Sequence, residues 1–172
     1  QEAVTFLDER FNFSKLTKYS VNKPIIQENK KAYSEQERQD LLKRVTDHYY
    51  ETLKKNDRAK KYLKKRGIYN EDLIDRFKIG CADRSLHNIL DKADKELALE
   101  IGLIKKASNN RSFESFNGCV TFTIFNDKHI AEITGRKISD DQKPGSPLHL
   151  NMNGSHQGVF NKEAFLNKEL II

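Results

Sequence analysis

The sequence predicts an α+β fold in which N-terminal helices are followed by a small, mainly antiparallel β-sheet. Apolar residues recur at three- and four-residue spacing up to about residue 100, which is typical of amphipathic helices. From Val120 they alternate instead, which is typical of strands. Helices that precede strands, rather than alternating with them, favour an α+β domain over an α/β fold. We find no internal repeat.

The helical part begins at a capping box. Ser34 and Glu37 are placed so that each side chain accepts a backbone N–H at the helix N-terminus. Apolar residues then follow on one helical face: Leu41, Leu42, Val45, Tyr49 and Leu53. Shorter helices are predicted from Arg58 to Arg66 with Asp57 as the cap and Gly67 after the end, from Glu71 to Phe77 ended by Gly80, from Ser85 to Leu90, and from Asp94 to Glu100.

We divide the chain into three parts: 1-33, an N-terminal tail with a linker; 34-105, the helical part; and 106-172, the sheet part. A short helix is predicted over Ala3–Arg10, and the polar residues 17–33 are expected to form the linker. Because the chain starts with Gln1 and stops in strand-like residues at Ile172, we expect it to be a piece of a longer protein.

The sheet part is predicted from residue 119 onward. Val120, Phe122 and Ile124 alternate with polar residues, and a turn at 126–128 allows the segment from His129 to Thr134 to return as the second strand. Additional strand segments are expected at Lys137–Ile138, Leu148–Met152 and Leu170–Ile172. Alternation places Phe122 on the buried face and Phe125 on the exposed face. Four phenylalanines near the sheet are candidates either for base stacking or for the core: Phe113, Phe116, Phe122 and Phe125.

Composition restricts the class of protein. Hydrophobic residues make up 37% and charged residues 33%, the net charge is +6, and the pI is about 9.2. This basic balance favours a polyanionic partner or an anionic membrane surface. No apolar run reaches membrane-spanning length, and no signal peptide is visible. Cys81 and Cys119 form no CxxC pair, so the sequence predicts no zinc site or disulfide framework and suits a reducing cytoplasm.

Positive charge is concentrated in residues 54–66, here called the basic segment. It holds eight lysines and arginines against the single carboxylate of Asp57. On one helix, Lys54, Arg58, Lys61 and Lys65 form a stripe, with Arg66 beside it. Such a row gains free energy by displacing counterions from a nucleic-acid backbone. The alternative is a solvated helix face. A membrane-surface helix is less favoured because no bulky apolar face lies opposite.

Gly135 and Arg136, at the end of the second strand, are candidates for phosphate positioning, because arginine binds phosphate through a planar, bidentate fork. Gly135 would let a nucleic-acid backbone come close; the alternative is a surface arginine beside a bulge glycine. His149 and His156 lack metal-ligand spacing, and the sequence contains no phosphate loop or nucleophile elbow. No catalytic residue and no metal ligand is therefore predicted.

The order of these motifs resembles the catalytic core of bacterial DnaG-type DNA primases. One matching stretch runs from Ala59 to Ile68 and continues from Asp72 to Ala82; the other comprises Asn117–Asp127, Thr134–Arg136, His149–Leu150 and Gly158–Asn161. The resemblance covers about residues 34 to 172. It implies the N-terminal subdomain of the core, immediately before the metal-binding Toprim domain, with 1-33 as the tail of a preceding module.

What the resemblance implies is a role in primer synthesis. The subdomain would hold single-stranded DNA and position nucleotides, with Arg136, Gly135 and His149 near the phosphates. Mg²⁺ would be bound by the Toprim domain and Zn²⁺ by an N-terminal module, neither within this sequence, so this piece alone would be inactive. A replicative helicase is a further expected partner, and a membrane is not.

The sequence also departs from chromosomal primases. Leu148-His149-Leu150-Asn151 stands where they carry Lys-Tyr-Leu-Asn, and Asn117 and Cys119 stand where they carry arginines. This sequence pattern is more similar to that of Toprim-containing replication proteins of phages, plasmids and mobile elements. Two further hypotheses therefore stay open: a non-catalytic protein-interaction module of such a replication protein, and a structural domain whose function has degenerated.

Overall fold

A computed structural model describes residues 33–139 and 145–166, and within them it confirms an α+β fold. The predicted Ala3–Arg10 helix, nearly all of the linker and the Leu170–Ile172 strand lie outside the described residues. The helices are α1 (Glu35–Lys55), α2 (Asp57–Lys65), α3 (Glu71–Arg76), α4 (Lys92–Ile101) and α5 (Glu163–Leu166). The strands are β1 (Gly80–Ala82), β2 (Ile104–Lys106), β3 (Ser112–Glu114), β4 (Cys119–Asn126), β5 (His129–Lys137) and β6 (His149–Asn151).

Two antiparallel sheets are formed. The larger has the order β1-β4-β5-β6, and the smaller is the β2–β3 hairpin. Neither β1 nor the hairpin was predicted. The prediction that Gly80 ends a helix is wrong, because α3 ends at Arg76 and Gly80 is the first residue of β1. A Cβ on Gly80 would lie 2.6 Å from the Cβ of Tyr49, so this strand can approach α1 only through a glycine.

The long helix α1 follows from its sequence. The capping box is present: Glu37 N–H donates to Ser34 Oγ at 3.2 Å, and Ser34 N–H donates to Glu37 Oε2 at 2.8 Å. The predicted face is buried and packs against β1, β4 and β5. Except for Leu53, this face belongs to the main core, together with residues such as Ile133 and Phe116, both 0% exposed.

The break after α1 differs from the prediction. Asn56, rather than Asp57, is the N-cap of α2, and its side chain accepts the N–H of Ala59 at 3.0 Å. The basic segment is therefore divided, with Lys54 and Lys55 on α1 and the other cations on or just after α2. The single stripe through Lys54 and Lys65 is thus wrong. Gly67, at φ +70, follows α2 as predicted, because only glycine adopts this backbone without strain.

Two further helices shift slightly from their predicted bounds. The segment from Ser85 to Leu90 is a 3₁₀ turn over Ser85–Asn88. Helix α4 begins two residues earlier than expected because Asp91 forms a capping box with Asp94. The carboxylate of Asp94 also accepts from the guanidinium of Arg44, at 2.8 Å from Nη1, which ties α4 to α1.

Both faces of β4 are covered, which alternation alone did not show. Thr121 and Thr123 face α1 and are each 2% exposed. Phe125 shares their face and packs against the main core, so its predicted exposure is wrong. Phe122 is half-buried on the other face, in edge contact with Phe160. Because both faces of β4 are covered, its polar threonine side chains point into the protein. The alternation of polar and apolar residues therefore did not identify the exposed face.

Glu114 lies on the inner face of the hairpin, and its burial leads to a testable prediction about stability. It is 3% exposed, and its Oε2 accepts the N–H of Leu86 at 3.3 Å. Desolvation by burial raises the pKa of this carboxyl, and the Leu86 N–H offsets only part of the effect. The folded protein therefore binds this proton more tightly than the unfolded chain does. The contribution of Glu114 to stability falls as pH rises from the ordinary pKa of 4.5 through the raised folded pKa.

We expect Glu114→Gln, which keeps an acceptor for Leu86, to raise the free energy of unfolding at pH 7 and to flatten its fall above pH 4.5. Urea denaturation at a series of pH values measures both effects. The exposed Glu100, changed in the same way, is the control. A Glu114→Gln variant with the wild-type pH profile would contradict the prediction.

Candidate nucleic-acid interface

Arg136 lies near the end of β5, between two strands of the larger sheet. Its Cα partners are Val120 on β4 and His149 on β6, so the structure places Arg136 and His149 side by side. Cross-strand partners project from the same face of a sheet. We call the partly exposed patch on this face the open face; it consists of Thr134, Arg136, His149 and Asn151.

The guanidinium of Arg136 has unused hydrogen-bonding capacity. Its side chain is half-buried, and the Nη1 atom is buried without a hydrogen-bond partner in the described part of the chain. A buried donor that lacks an acceptor costs roughly 1–3 kcal/mol, and more when it is charged. An anion that enters the open face beside His149 would supply the acceptor. The half-buried position also fits a fixed arginine better than the surface strand-end alternative.

Gly135 faces the opposite side of the sheet and is buried. A Cβ at this position would lie 2.6 Å from Cδ1 of Phe116 and 3.2 Å from Cβ of Cys119. The glycine therefore admits Phe116 to the core. Its internal packing role accounts for the residue, so the candidate interface rests on Arg136 and His149.

Helix α2 flanks the open face. Its Ala59 and Leu63 are buried in a second core with Val120, the strand neighbour of Arg136. Tyr62 and Ile138 pack against the same core. The basic segment and Arg136 are thus brought to one side of the sheet, which the sequence could not establish.

The cations of the basic segment differ in their partners. Lys54 forms an ion pair with Glu51 at 2.9 Å, and Lys60 forms one with Asp57 at 3.1 Å. Arg66 lies over the ring of Tyr62, 5.4 Å from its centroid. Arg58 and Lys61 are exposed, and within the described residues no ion pair or hydrogen bond involves their side chains. These two side chains are therefore the best placed to bind phosphates.

One border of the open face is a segment that sequence reasoning missed, residues 153–161. Gly158 packs on Ile124, because a Cβ there would lie 2.9 Å from the Ile124 Cγ2 atom. The ring of Phe160 contacts Phe77 at 4.7 Å and Phe122 at 5.9 Å between centroids. The resemblance to the family at Gly158–Asn161 was the sequence signal for this segment, but only the fold shows that the segment covers the sheet.

Other features of the described residues are weaker candidates for a nucleic-acid site. A cleft of about 270 Å³ near α3 holds Arg76 and Lys162 but also Asp127 and Glu163, so its mixed charge does not favour a polyanion. Burial raises the pKa of Cys81 to about 12 and that of Cys119 to about 11, so both remain thiols and poor ligands at neutral pH.

Residues 33–139 and 145–166 contain neither a cluster of metal ligands nor a membrane-spanning helix. No three His, Cys, Asp or Glu side chains in these ranges lie close enough together to hold a metal ion. Within the same ranges, every helix is too short or too polar to cross a bilayer.

Comparison with known proteins gives one family. The family described as the DNA primase catalytic core, N-terminal domain, matches residues 48–168. A DNA primase from Clostridium acetobutylicum is 31% identical over 156 residues, covering 82% of this chain but 26% of that protein. The chain thus spans about a quarter of the length of this curated relative.

Solved structures of primases are also similar to this chain. The DnaG primase catalytic domain bound to ssDNA superimposes with a TM-score of 0.62 at 25% identity, over 70% of this chain and 40% of that one. A Pseudomonas aeruginosa DNA primase domain gives 0.57 at 27% identity, over 69% and 39%. The zinc-binding and RNA polymerase domains of Aquifex aeolicus primase give 0.63 at 24% identity, over 91% and 36%, which shows the shared fold.

Proposed function

Because the chain belongs to the family of N-terminal domains of the DNA primase catalytic core, we propose that it binds single-stranded template DNA on the open face and α2. In the parent protein it would hold the template and position nucleotides for RNA primer synthesis. One relative was solved with ssDNA bound, which supports this choice of ligand.

The observation that carries the proposal is the pairing of Arg136 with His149 on a partly exposed sheet face. Arg136 offers a planar donor whose buried Nη1 atom has no hydrogen-bond partner among the described residues, and His149 is exposed beside it. Arginine binds phosphate oxygens through two parallel N–H donors. Arg58 and Lys61 on the flanking helix would add contacts to neighbouring phosphates, which depend on counterion release.

Phosphoryl transfer itself would take place elsewhere in the parent. Such chemistry needs metal ions that bridge the phosphates, and these would be supplied by a Toprim domain outside this sequence. The described residues would contribute positioning and charge: Arg136 holds a phosphate, His149 presents a ring N–H or acceptor beside it, and α2 aligns the strand.

The proposal predicts a change in salt dependence. We expect Arg58→Gln with Lys61→Gln to weaken binding of a labelled single-stranded oligonucleotide and to reduce the slope of log K against log salt by about 1.4, because each lost single-strand phosphate contact removes about 0.7. Fluorescence anisotropy across a salt series measures both quantities.

The matched control is Lys43→Gln with Lys92→Gln, which removes the same charge from exposed positions on α1 and α4. Equal slopes for the two double variants would show that binding responds to net charge rather than to α2. If the wild-type chain does not bind DNA at low salt, the template-binding role fails and the protein-interaction module becomes the favoured function.

A further inference from the structure

The β2–β3 hairpin carries an exposed aromatic ring and three cations that the open face does not use. Its register pairs Ile104 with Glu114 and Lys105 with Phe113. Ile104 and Glu114 are 1% and 3% exposed, whereas Phe113 is 47% exposed. One side of the hairpin is therefore buried in the core, and the other presents Phe113 and Lys105 to solvent.

The exposed residues of the hairpin are strongly basic, with Lys105 on the side of Phe113 and Lys106 on the side of Ile104. Lys105, Lys106 and Arg111 are all exposed, and residues 101–113 contain no acidic side chain. Within the described residues, no ion pair involves these three cations. A solvent-facing phenylalanine between unneutralised cations is a poor surface for a basic or apolar protein partner, and it complements a polyanion with exposed ring systems.

The hairpin is also rigidly attached. Ser115 N–H donates to the Leu103 carbonyl at 2.9 Å, and Ala107 N–H donates to the Arg111 carbonyl across the turn at 2.8 Å. Leu103 is 0% exposed. A platform that is already ordered loses little conformational entropy when it binds a ligand.

Its base lies beside the strand end that bears Arg136. Phe116, two residues after β3, packs beneath Gly135, and Lys137 Nζ donates to the Asn117 carbonyl at 2.6 Å. The root of the hairpin therefore lies near the same end of β5 as Arg136.

We propose that the β2–β3 hairpin is a second contact for single-stranded DNA, in which Phe113 stacks on a base and Lys105 and Arg111 bind the flanking phosphates. Single-strand binders combine these two features, since every base offers a ring face for stacking. Duplex DNA hides those faces, so the hairpin selects unpaired DNA. This contact extends the proposed function, but it uses different residues and can be tested apart from it.

The chain contains no tryptophan, so Phe113→Trp introduces a single reporter. We expect its fluorescence to fall as oligo(dT) is added, in step with the fraction bound measured by anisotropy. Phe113→Ala should weaken binding about 5- to 100-fold, the range of a lost stacking contact. The exposed Ala93→Trp on α4 is the control, and its signal should not change.

The outcomes separate the two ideas. Binding with no fluorescence change at position 113 and an unchanged affinity for Phe113→Ala would overturn the hairpin contact and leave the open-face proposal intact. Quenching and affinity loss at Phe113, with no effect of Arg136→Met, would support the hairpin and overturn the open face. Absence of DNA binding at low salt would overturn both.

Discussion

Phe116→Ala is expected to lower the free energy of unfolding by about 3–5 kcal/mol, the cost of removing a fully buried aromatic ring. Phe116 is 0% exposed and fills the space that Gly135 leaves open, against Cys119. The ring joins the base of the hairpin to the larger sheet. Its removal therefore leaves a cavity where two sheets meet, and neither strand can close it because β4 and β5 are fixed by their hydrogen bonds.

The chain supplies its own matched control three residues earlier. Phe113→Ala makes the same chemical change at a site that is 47% exposed, and it should alter stability by no more than about 0.5 kcal/mol. Urea unfolding of both variants measures the difference. Similar losses for the two variants would mean that Phe113 is packed rather than presented to solvent, and would remove the basis of the hairpin contact as well.

Much of the fold was predictable because local signals agreed with tertiary packing. The capping box at Ser34 and the apolar face of α1 needed no information from the rest of the chain. The same holds for β4 and β5, which are joined by the turn at 126–128. Strand β1 was missed because three residues carry no periodicity, and its partner in β4 is about forty residues away. From the sequence alone, Gly80 is interpreted as the end of a helix, because its contact with Tyr49 is visible only in the fold.

The hairpin and the faces of the sheet were lost for a different reason. Lys105 and Lys106 carry no strand signal, since the face of β2 that Lys105 shares with Phe113 is open to solvent. Alternation places Thr121 and Thr123 on the face opposite Phe122, yet both are only 2% exposed. Hydrophobic alternation indicates which residues are buried only when one face of a strand is exposed to solvent.

The candidate site was predicted as residues but not as an arrangement. Arg136 and His149 came from chemistry and resemblance, and their adjacency depends on the register of β6. The basic stripe failed because Asn56 ends α1, which separates Lys54 from α2. No local pattern could show that α2 packs over Val120 and so lies next to Arg136.

The position of Arg136 implies that it reduces stability in the free protein. Among the residues that the structure describes, its Nη1 atom is buried without an acceptor, and an uncompensated buried donor is unfavourable. A residue kept for packing would not carry such a cost. A residue kept to bind an anion would, because the acceptor arrives with the ligand and the donor is already fixed in place.

Arg136→Met should therefore change stability and binding in opposite directions. We expect the free energy of unfolding to stay equal or rise, because the apolar side chain fills similar space without an unpaired donor. Affinity for single-stranded DNA should fall by about 10- to 100-fold, the value of one lost charge-assisted hydrogen-bond pair. Arg136→Lys, which keeps the charge but not the fork, should recover only part of the affinity. Thermal unfolding and anisotropy measure the two quantities on the same samples. A variant that loses stability and binding together would show that Arg136 serves the fold, and a variant that loses neither would show that the open face does not bind DNA.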